Sequence, residues 1–199
     1  MDRARMGFAH RCQPMQLQQL TPTDRHWLPA LTRLLQHTVD GGASVGFLAP
    51  LTADQAQAYW LDVLAGLGPQ LQLFIAQHNG QLLGTVQLAL CAKANGRHRG
   101  EVQKLMVAPA SRGSGIARQL MDALEAAARR DARSLLVLDT QQGSAAETVY
   151  ARLGWQRAGS IPDFATSPCG ELAATVFYFK RLQRPSPLPV IAHPGDQRP

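Results

Sequence analysis

The chain contains few cysteines, and their spacing does not suit a metal or disulfide site. Cys12, Cys91 and Cys169 are its three cysteines, and no two of them form a CxxC pair. Because their number is odd and they lie far apart, neither a disulfide framework nor a zinc site is expected. The six histidines show no ligand spacing either. The sequence therefore predicts no bound metal and a reducing, cytoplasmic setting.

Long apolar runs and targeting signals are also missing. No run approaches the ~18 apolar residues that a membrane-spanning helix needs, and residues 1–14 lack the apolar stretch of a signal peptide. With 199 residues, 45% of them hydrophobic, the chain can form one domain with a sizeable core. We expect that domain to span residues 15–182, between a disordered leader (1–14) and a Pro-rich, disordered tail (183–199).

The net charge of +6 is concentrated at the two ends of the chain. Residues 1–13 carry three arginines against one aspartate, and residues 180–199 carry four basic side chains against one aspartate. The central part is therefore nearly neutral. This distribution argues against nucleic acid as a partner, because a binding domain needs a basic surface of its own.

Apolar periodicity predicts a mixed α/β fold with the element order β-α-α-β-β-β-α-β-α-β-β. Asn79-Gly80 joins two strand patterns and is a strong hairpin signal. Residues 115–130 show helical spacing, with an expected ion pair between Glu125 and Arg129. Segments 155–161 and 172–180 resemble a closing antiparallel pair. The predicted class is an α/β fold with a largely antiparallel sheet flanked by helices.

The segment "EVQKLMVAPASRGSGIARQLM", residues 101–121, places two glycines and an arginine where a strand becomes a helix. A P-loop requires Lys and Ser/Thr after its last glycine, but Ile116 and Ala117 follow Gly115. A dinucleotide fingerprint requires a third glycine where Arg118 stands. A tight turn or another type of phosphate-binding turn remains. Glycines allow an anion to approach the backbone closely, and a helix N-terminus adds positive potential.

A second motif, "GASVG" at residues 42–46, matches the G-x-S-x-G pattern of hydrolases. That motif requires a strand before it and a helix directly after it. Here it follows a predicted helix and precedes Pro50, so a hydrolase is not favoured.

"RGSGIA", residues 112–117, resembles the R-x-x-G-x-A acetyl-CoA pyrophosphate motif of the GNAT (Gcn5-related N-acetyltransferase) superfamily. "AAETVYARLGW", residues 145–155, resembles the second signature of that family, a helix with a tyrosine followed by a Gly-aromatic pair. "EVQKLMV", "LDT", "GSAAE", "IPDFATSPCGEL" and "FYFK" resemble the tabtoxin-resistance type, whose members acetylate a toxin amine. The resemblance covers about residues 15–182. One difference is Gly143, which stands where many relatives have an Asn that contacts CoA.

The resemblance implies roles for three residues that fit the demands of acyl transfer to an amine. The ammonium must lose a proton, the oxyanion must be stabilised, and the departing thiolate must gain a proton. Glu101 and Asp139 match the carboxylates proposed as bases. Tyr150 matches the general acid, and a phenol with a pKa near ~10 can protonate a thiolate. The residues implied in binding acetyl-CoA are Leu105, Met106, Val107, Arg112, Gly113, Ser114, Gly115, Ile116, Ala117 and Ser144.

The resemblance also implies a loop over the acceptor amine, with Ser44 and Phe47 as candidate contacts and Asp163 as a third. The expected protein is an acetyl-CoA-dependent N-acetyltransferase acting on a small-molecule amine, as a monomer or homodimer. Two alternatives remain open: an acyl-CoA-binding sensor without turnover, and an enzyme that acetylates proteins or peptides.

Overall fold

The computed structural model describes residues 14–182, so residues 1–13 of the predicted leader and the whole predicted tail lie outside the described residues. Helices and strands follow the predicted order, with short 3-10 turns between some of them. The elements are β1 (Gln16–Gln19), α1 (Leu28–Asp40), α2 (Ala53–Gly66), β2 (Leu71–His78), β3 (Gln81–Leu90), β4 (Arg99–Val107), α3 (Ile116–Arg130), β5 (Leu135–Gln141), α4 (Ala145–Arg152), β6 (Gln156–Thr166) and β7 (Leu172–Arg181).

The seven strands form one sheet in the order β1-β2-β3-β4-β5-β7-β6. Every neighbouring pair is antiparallel except β4 and β5, which are parallel. A parallel pair needs a crossover, and α3 supplies it. The predicted α/β class with a largely antiparallel sheet is therefore confirmed.

Helices cover both faces of this sheet. Alternate residues of β2 show the division: Phe74 and Ala76 belong to one apolar cluster, and Leu73 and Ile75 to the other. The first cluster packs against α3 and α4, on what we call the α3 face. The second packs against α1 and α2, on the α1–α2 face. No helix within residues 14–182 is both long enough and apolar enough to cross a membrane.

Local signals account for several turns and helix starts. Asn79 and Gly80 both have positive φ angles, 50° and 76°, and they form the predicted two-residue hairpin loop between β2 and β3. At the start of α2, the Thr52 side chain accepts a hydrogen bond from the backbone of Gln55, whose side chain accepts one in return. This capping box satisfies two backbone donors at the helix end.

The predicted pair of Glu125 and Arg129 is confirmed, with 3.2 Å between Oε2 and Nη2. Glu125 is only 4% exposed and also binds Lys180 of β7, with 2.5 Å from Oε1 to Nζ. Lys180 donates in addition to the carbonyl of Leu153. These contacts attach α3 to β7 through a charged group inside the core.

Strand β6 is longer than predicted, because it continues past Ile161 to Thr166. The register with β7 shifts between Ile161 and Ala165, and Asp163 has a φ of +50°. A bulge thus takes up the extra residues. Because β6 is an edge strand, Pro162 can lie within it without removing a hydrogen bond from the sheet interior.

Strand β4 carries a second bulge that changes the direction of its side chains. Lys104 has a φ of +52°, and the register with β3 shifts between Thr85 and Gln87. The Thr85 hydroxyl donates to the Lys104 carbonyl at 3.0 Å, which satisfies a group displaced by the bulge. Val102 points to the α3 face. Because side chains of a regular strand alternate between its two faces, Lys104 would be expected to point to the α3 face as well. The bulge instead directs it to the α1–α2 face, where it lies over aromatic rings.

Candidate functional site

The turn before α3 has the geometry of an anion-binding site. Gly113 and Gly115 adopt φ angles of +77° and +83°, which other residues adopt only with strain. A Cβ atom at either position would meet nothing within 4 Å, so a ligand can reach this backbone. Within the described chain, the backbone N–H groups of residues 113–118 make no hydrogen bond, and Gln119 is the first to donate, to Gly115. Such free donors at a helix N-terminus suit an anion.

Neighbouring side chains hold this turn in place. The Ser114 hydroxyl donates to the Ser111 carbonyl at 2.5 Å, and the Arg112 Nε donates to the Val107 carbonyl at 3.4 Å. Arg112 is exposed, so its positive charge is available beside the free N–H groups. Ile116 is buried in the α3-face core and contributes only its backbone. Of the predicted binding segment 112–117, residues 112–115 are exposed and Ala117 is partly exposed.

The parallel strands β4 and β5 separate at the centre of the sheet. They pair at three positions, the last being Glu101 opposite Val137. Both strands continue beyond that point, to Val107 and Gln141. Along residues 102–107 the β4 edge that faces β5 thus has no strand partner among the described residues. An extended ligand could pair with this edge as an added strand would, and Leu105, Met106 and Val107 lie along it.

Glu101 and Asp139 lie at the start of this opening. Asp139 is two residues beyond Val137, so both carboxylates lie on the same face of the sheet. Gln103 donates to Glu101, with 2.8 Å from Nε2 to Oε1. Partial burial raises the pKa of Asp139, the charge of Glu101 raises it further, and the charge of Lys104 acts in the opposite direction. The two acids are therefore electrostatically coupled.

Tyr150 extends from α4 into the α3-face core, where only 7% of it is exposed. Its ring lies 6.1 Å from that of Trp155 and 6.0 Å from that of Tyr178. Burial raises the pKa of its hydroxyl, and the charge of Asp139 adds to this effect, so the group stays protonated. None of the described residues forms a hydrogen bond with this hydroxyl, whereas Tyr178 donates to Glu147. The Tyr150 proton is thus free for another acceptor.

Ser144 occupies the N-cap position of α4 but forms no capping hydrogen bond. Its hydroxyl lies 3.2 Å from that of Thr140 at the end of β5. The neighbouring Gly143 N–H donates to Glu147 at 2.6 Å, so that donor is already used within the protein. Ser144 remains the available polar side chain at this position.

Lys104, Tyr59 and Gln87 were not singled out in the sequence, yet they lie together on the α1–α2 face, where the charges of Asp139 and Glu101 act on Lys104. The Lys104 Nζ lies 5.8 Å from the Phe47 ring centroid and 5.5 Å from that of Tyr59. The Gln87 amide donates to the Tyr59 hydroxyl at 2.9 Å, and burial raises the pKa of Tyr59 to about 12. The bulge that directs Lys104 to this face depends on tertiary contacts, so strand alternation gave no signal for it.

The three weaker substrate candidates have different environments. Phe47 packs edge-on against Tyr59 at 5.2 Å and so belongs to the wall around Lys104. Ser44 lies in the same loop, and no side-chain hydrogen bond to a described residue is seen for it. Asp163 lies on the exposed bulge of β6, and no contact joins it to the carboxylates. The loop also reaches the β6–β7 turn, because the Ala49 N–H donates to the Pro168 carbonyl at 2.9 Å.

Comparison with known proteins identifies the central part of the chain. Residues 69–157 match the model of the acetyltransferase (GNAT) domain. The matched segment, just under half of the chain, is similar to that domain. The matched segment includes the turn before α3, both carboxylates and Tyr150. Among residues 14–182, no group of three or more His, Cys, Asp or Glu side chains is placed to hold a metal ion.

Two curated relatives come from Azospirillum brasilense. One, an uncharacterized N-acetyltransferase in the hisH-hisA intergenic region, is 32% identical over 106 residues, which cover 52% of this chain and 62% of that protein. This chain thus spans less than two thirds of the length of that relative. The other is an IAA acetyltransferase, 27% identical over 109 residues, which cover 54% of this chain and 69% of that protein.

Solved structures of acetyltransferases share the fold. Ribosomal-protein-alanine N-acetyltransferase from Brucella melitensis superposes with a TM-score of 0.69 at 22% identity, covering 84% of this chain and 99% of that one. The structure of yncA from Salmonella typhimurium, which contains its cofactor acetyl-CoA, gives a TM-score of 0.69 at 20% identity, covering 88% and 98%. At these identities the likeness is one of fold.

Proposed function

We propose that this protein is an acetyl-CoA-dependent N-acetyltransferase that transfers an acetyl group to the primary amine of a small molecule by direct attack in a ternary complex. The observation that supports the proposal is that Glu101 and Asp139 lie on one face of the sheet where β4 and β5 separate, with Asp139 close enough to Tyr150 for its charge to raise the pKa of that hydroxyl. The free N–H groups of residues 113–118 lie on the loop that follows β4. A purely acyl-CoA-binding protein would need the turn but not the trio.

The exposed glycine turn, Arg112 and the free edge of β4 support acetyl-CoA as the proposed ligand. The N–H groups of residues 113–118 and the Arg112 guanidinium would hold the pyrophosphate. The free edge of β4 at residues 105–107 would pair with the pantetheine arm, which brings the thioester into the opening. Ser144 would contact the cofactor from the start of α4. Acetyl-CoA supplies the activated acyl group, and the protein supplies orientation and proton transfer.

Proton movements can be assigned to side chains. The Glu101 and Asp139 carboxylates would bind the incoming ammonium and accept its proton, because only the free amine has the electron pair that attacks. Backbone N–H groups near Leu105 to Val107 would stabilise the negative charge on the thioester oxygen. The Tyr150 hydroxyl would donate its proton to the departing thiolate. The raised pKa of Tyr150 keeps this donor protonated until the thiolate forms.

The acceptor is proposed to be small because the loop at residues 41–52 lies over the α1–α2 face. It carries Phe47 and bonds to the β6–β7 turn through Ala49 and Pro168. An acceptor on this face would therefore meet both the loop and the carboxylates. Segments such as "EVQKLMV" and "GSAAE", which resemble the tabtoxin-resistance type in sequence, led us to propose an amine of amino-acid-like or toxin-like size.

The direct test measures thiol release from acetyl-CoA with a broad panel of amines and with short peptides bearing free N-termini. We expect turnover with small amines and a large loss in the Glu101→Gln, Asp139→Asn double variant. Acetyl-CoA binding without turnover on any acceptor would instead support a sensor. Turnover on peptides alone would support a protein acetyltransferase.

A further inference from the structure

The Lys104 ammonium lies in a half-buried position that suits an anion from outside the chain. Phe47 and Tyr59 cover it on one side, and a Cβ atom at Gly46 would lie 3.5 Å from its Nζ. Both ion pairs found within residues 14–182 belong to Glu125, so no described carboxylate lies within 4.0 Å of Lys104. Partly desolvated charges are normally paired or hydrogen-bonded.

The charges around Lys104 indicate what would pair with it. Burial lowers the pKa of Lys104, while Asp139 and Glu101 raise it, so both acids act on it from beyond ion-pair distance. Tyr59 is neutral, because burial raises its pKa. The opening thus offers two carboxylates to a cation and one ammonium to an anion. A molecule with one group of each sign would satisfy both.

We infer that Lys104 binds the carboxylate of a zwitterionic acceptor, such as an amino acid, while Glu101 and Asp139 bind the ammonium that becomes acetylated. This inference rests on the proposed function and adds a substrate class to it. The pyrophosphate is not the anion in question, because its turn precedes α3 and leads to the α3 face, whereas Lys104 lies on the α1–α2 face. Phe47 and Tyr59 would contact the apolar part of the acceptor.

Lys104 has an alternative role, as a counter-charge that lowers the pKa of Asp139 and keeps it ionised. The two roles differ in selectivity. A counter-charge acts on every acceptor amine alike, so its loss would lower all rates by a similar factor. A carboxylate-binding lysine acts only on acceptors that carry the negative charge.

The test compares free L-amino acids with their carboxamides, which keep the amine and side chain and lose the charge. The measured quantity is the ratio of kcat/KM for each acid to that of its amide, in wild type, Lys104→Gln and Lys104→Arg. Comparing ratios between variants removes the difference in intrinsic amine reactivity. We expect Lys104→Gln to lower the ratio by about 10- to 100-fold, the usual value of a hydrogen bond to a charged group, and Lys104→Arg to retain most of it. Lys93→Gln, in the exposed turn before β4, is the matched control and should leave the ratio unchanged.

The outcomes separate this inference from the proposed function. An unchanged ratio in Lys104→Gln, even with lower rates, would overturn the carboxylate site and leave the counter-charge role. If the wild type acetylates only amines that lack a carboxylate, the inference is overturned while the N-acetyltransferase proposal stands. No acetylation of any amine by wild type would overturn both. If the melting temperature and acetyl-CoA affinity of the variants are unchanged, misfolding is excluded as the cause of a lower acid-to-amide ratio of kcat/KM.

Discussion

Glu101 and Asp139 extend from neighbouring parallel strands onto one face of the sheet, and the charge of Glu101 raises the pKa of Asp139. Glu101 is at the last paired position of β4 and β5, and Asp139 lies two residues beyond its partner Val137, where the strands separate. Two coupled carboxylates beside an opening are a common arrangement for proton transfer. A change at Glu101 should therefore appear in the titration of Asp139.

Glu101→Gln should move the acidic limb of the pH profile of kcat/KM to lower pH. The charge of Glu101 raises the pKa of Asp139, so its removal lowers that pKa, and the base stays ionised in more acidic solution. Lys104→Gln should move the same limb to higher pH, because Lys104 lowers the pKa of Asp139. Shifts in the same direction for both variants would contradict Asp139 as the titrating base.

A charge at Gly115 should weaken acetyl-CoA binding without unfolding the protein. Asp and Asn have nearly the same shape, and both tolerate the left-handed backbone that Gly115 adopts better than most residues. Gly115→Asp would place a negative charge beside the proposed pyrophosphate, whereas Gly115→Asn would not. By calorimetry we expect at least ~10-fold weaker binding for Asp than for Asn, about 1.4 kcal/mol of like-charge repulsion. Equal affinities would argue against this turn as the phosphate site.

Sequence patterns predicted the features that depend on near neighbours in the chain. The Asn79-Gly80 hairpin and the pair of Glu125 and Arg129 were both predicted and are both present. Each follows from a rule of short range: φ angles in a two-residue loop, and i,i+4 spacing on a helix. The element order was correct for the same reason. The roles of Glu101, Asp139 and Tyr150 came from the family resemblance and stay predictions.

Features set by contacts between distant segments were missed. The direction of Lys104 depends on a bulge at which Thr85 of another strand binds its carbonyl. The second partner of Glu125, Lys180, comes from β7. The predicted end of β6 at residue 161 was wrong, because the bulge at Asp163 allows pairing with β7 to resume. In each case the contacting residue is distant in the sequence, so the local residue pattern does not predict the contact.

Removing the Glu125 carboxylate should destabilise the domain, while replacing the charged group as a whole should cost much less. Glu125→Ala leaves Lys180 partly buried without its partner, and we expect a loss of about 3 kcal/mol in the free energy of unfolding. The double variant Glu125→Leu, Lys180→Met removes both charges and fills the space with apolar atoms. Denaturant unfolding measures both effects. If the double variant were less stable than Glu125→Ala, the ion pair of Glu125 and Lys180 would be a net source of stability.

Tyr150→Phe separates a proton donor from a packing residue. The substitution removes only the hydroxyl, and none of the described residues bonds to that group, so the melting temperature and acetyl-CoA affinity should change little. Turnover should fall by ~10²- to 10⁴-fold, the usual contribution of a positioned proton donor. Tyr178→Phe is the matched control: its ring lies 6.0 Å from that of Tyr150, but its hydroxyl donates to Glu147. That variant should lose about 1 kcal/mol of stability and retain most of its turnover. Full turnover in Tyr150→Phe would leave Tyr150 as a core aromatic and require another source for the thiolate proton.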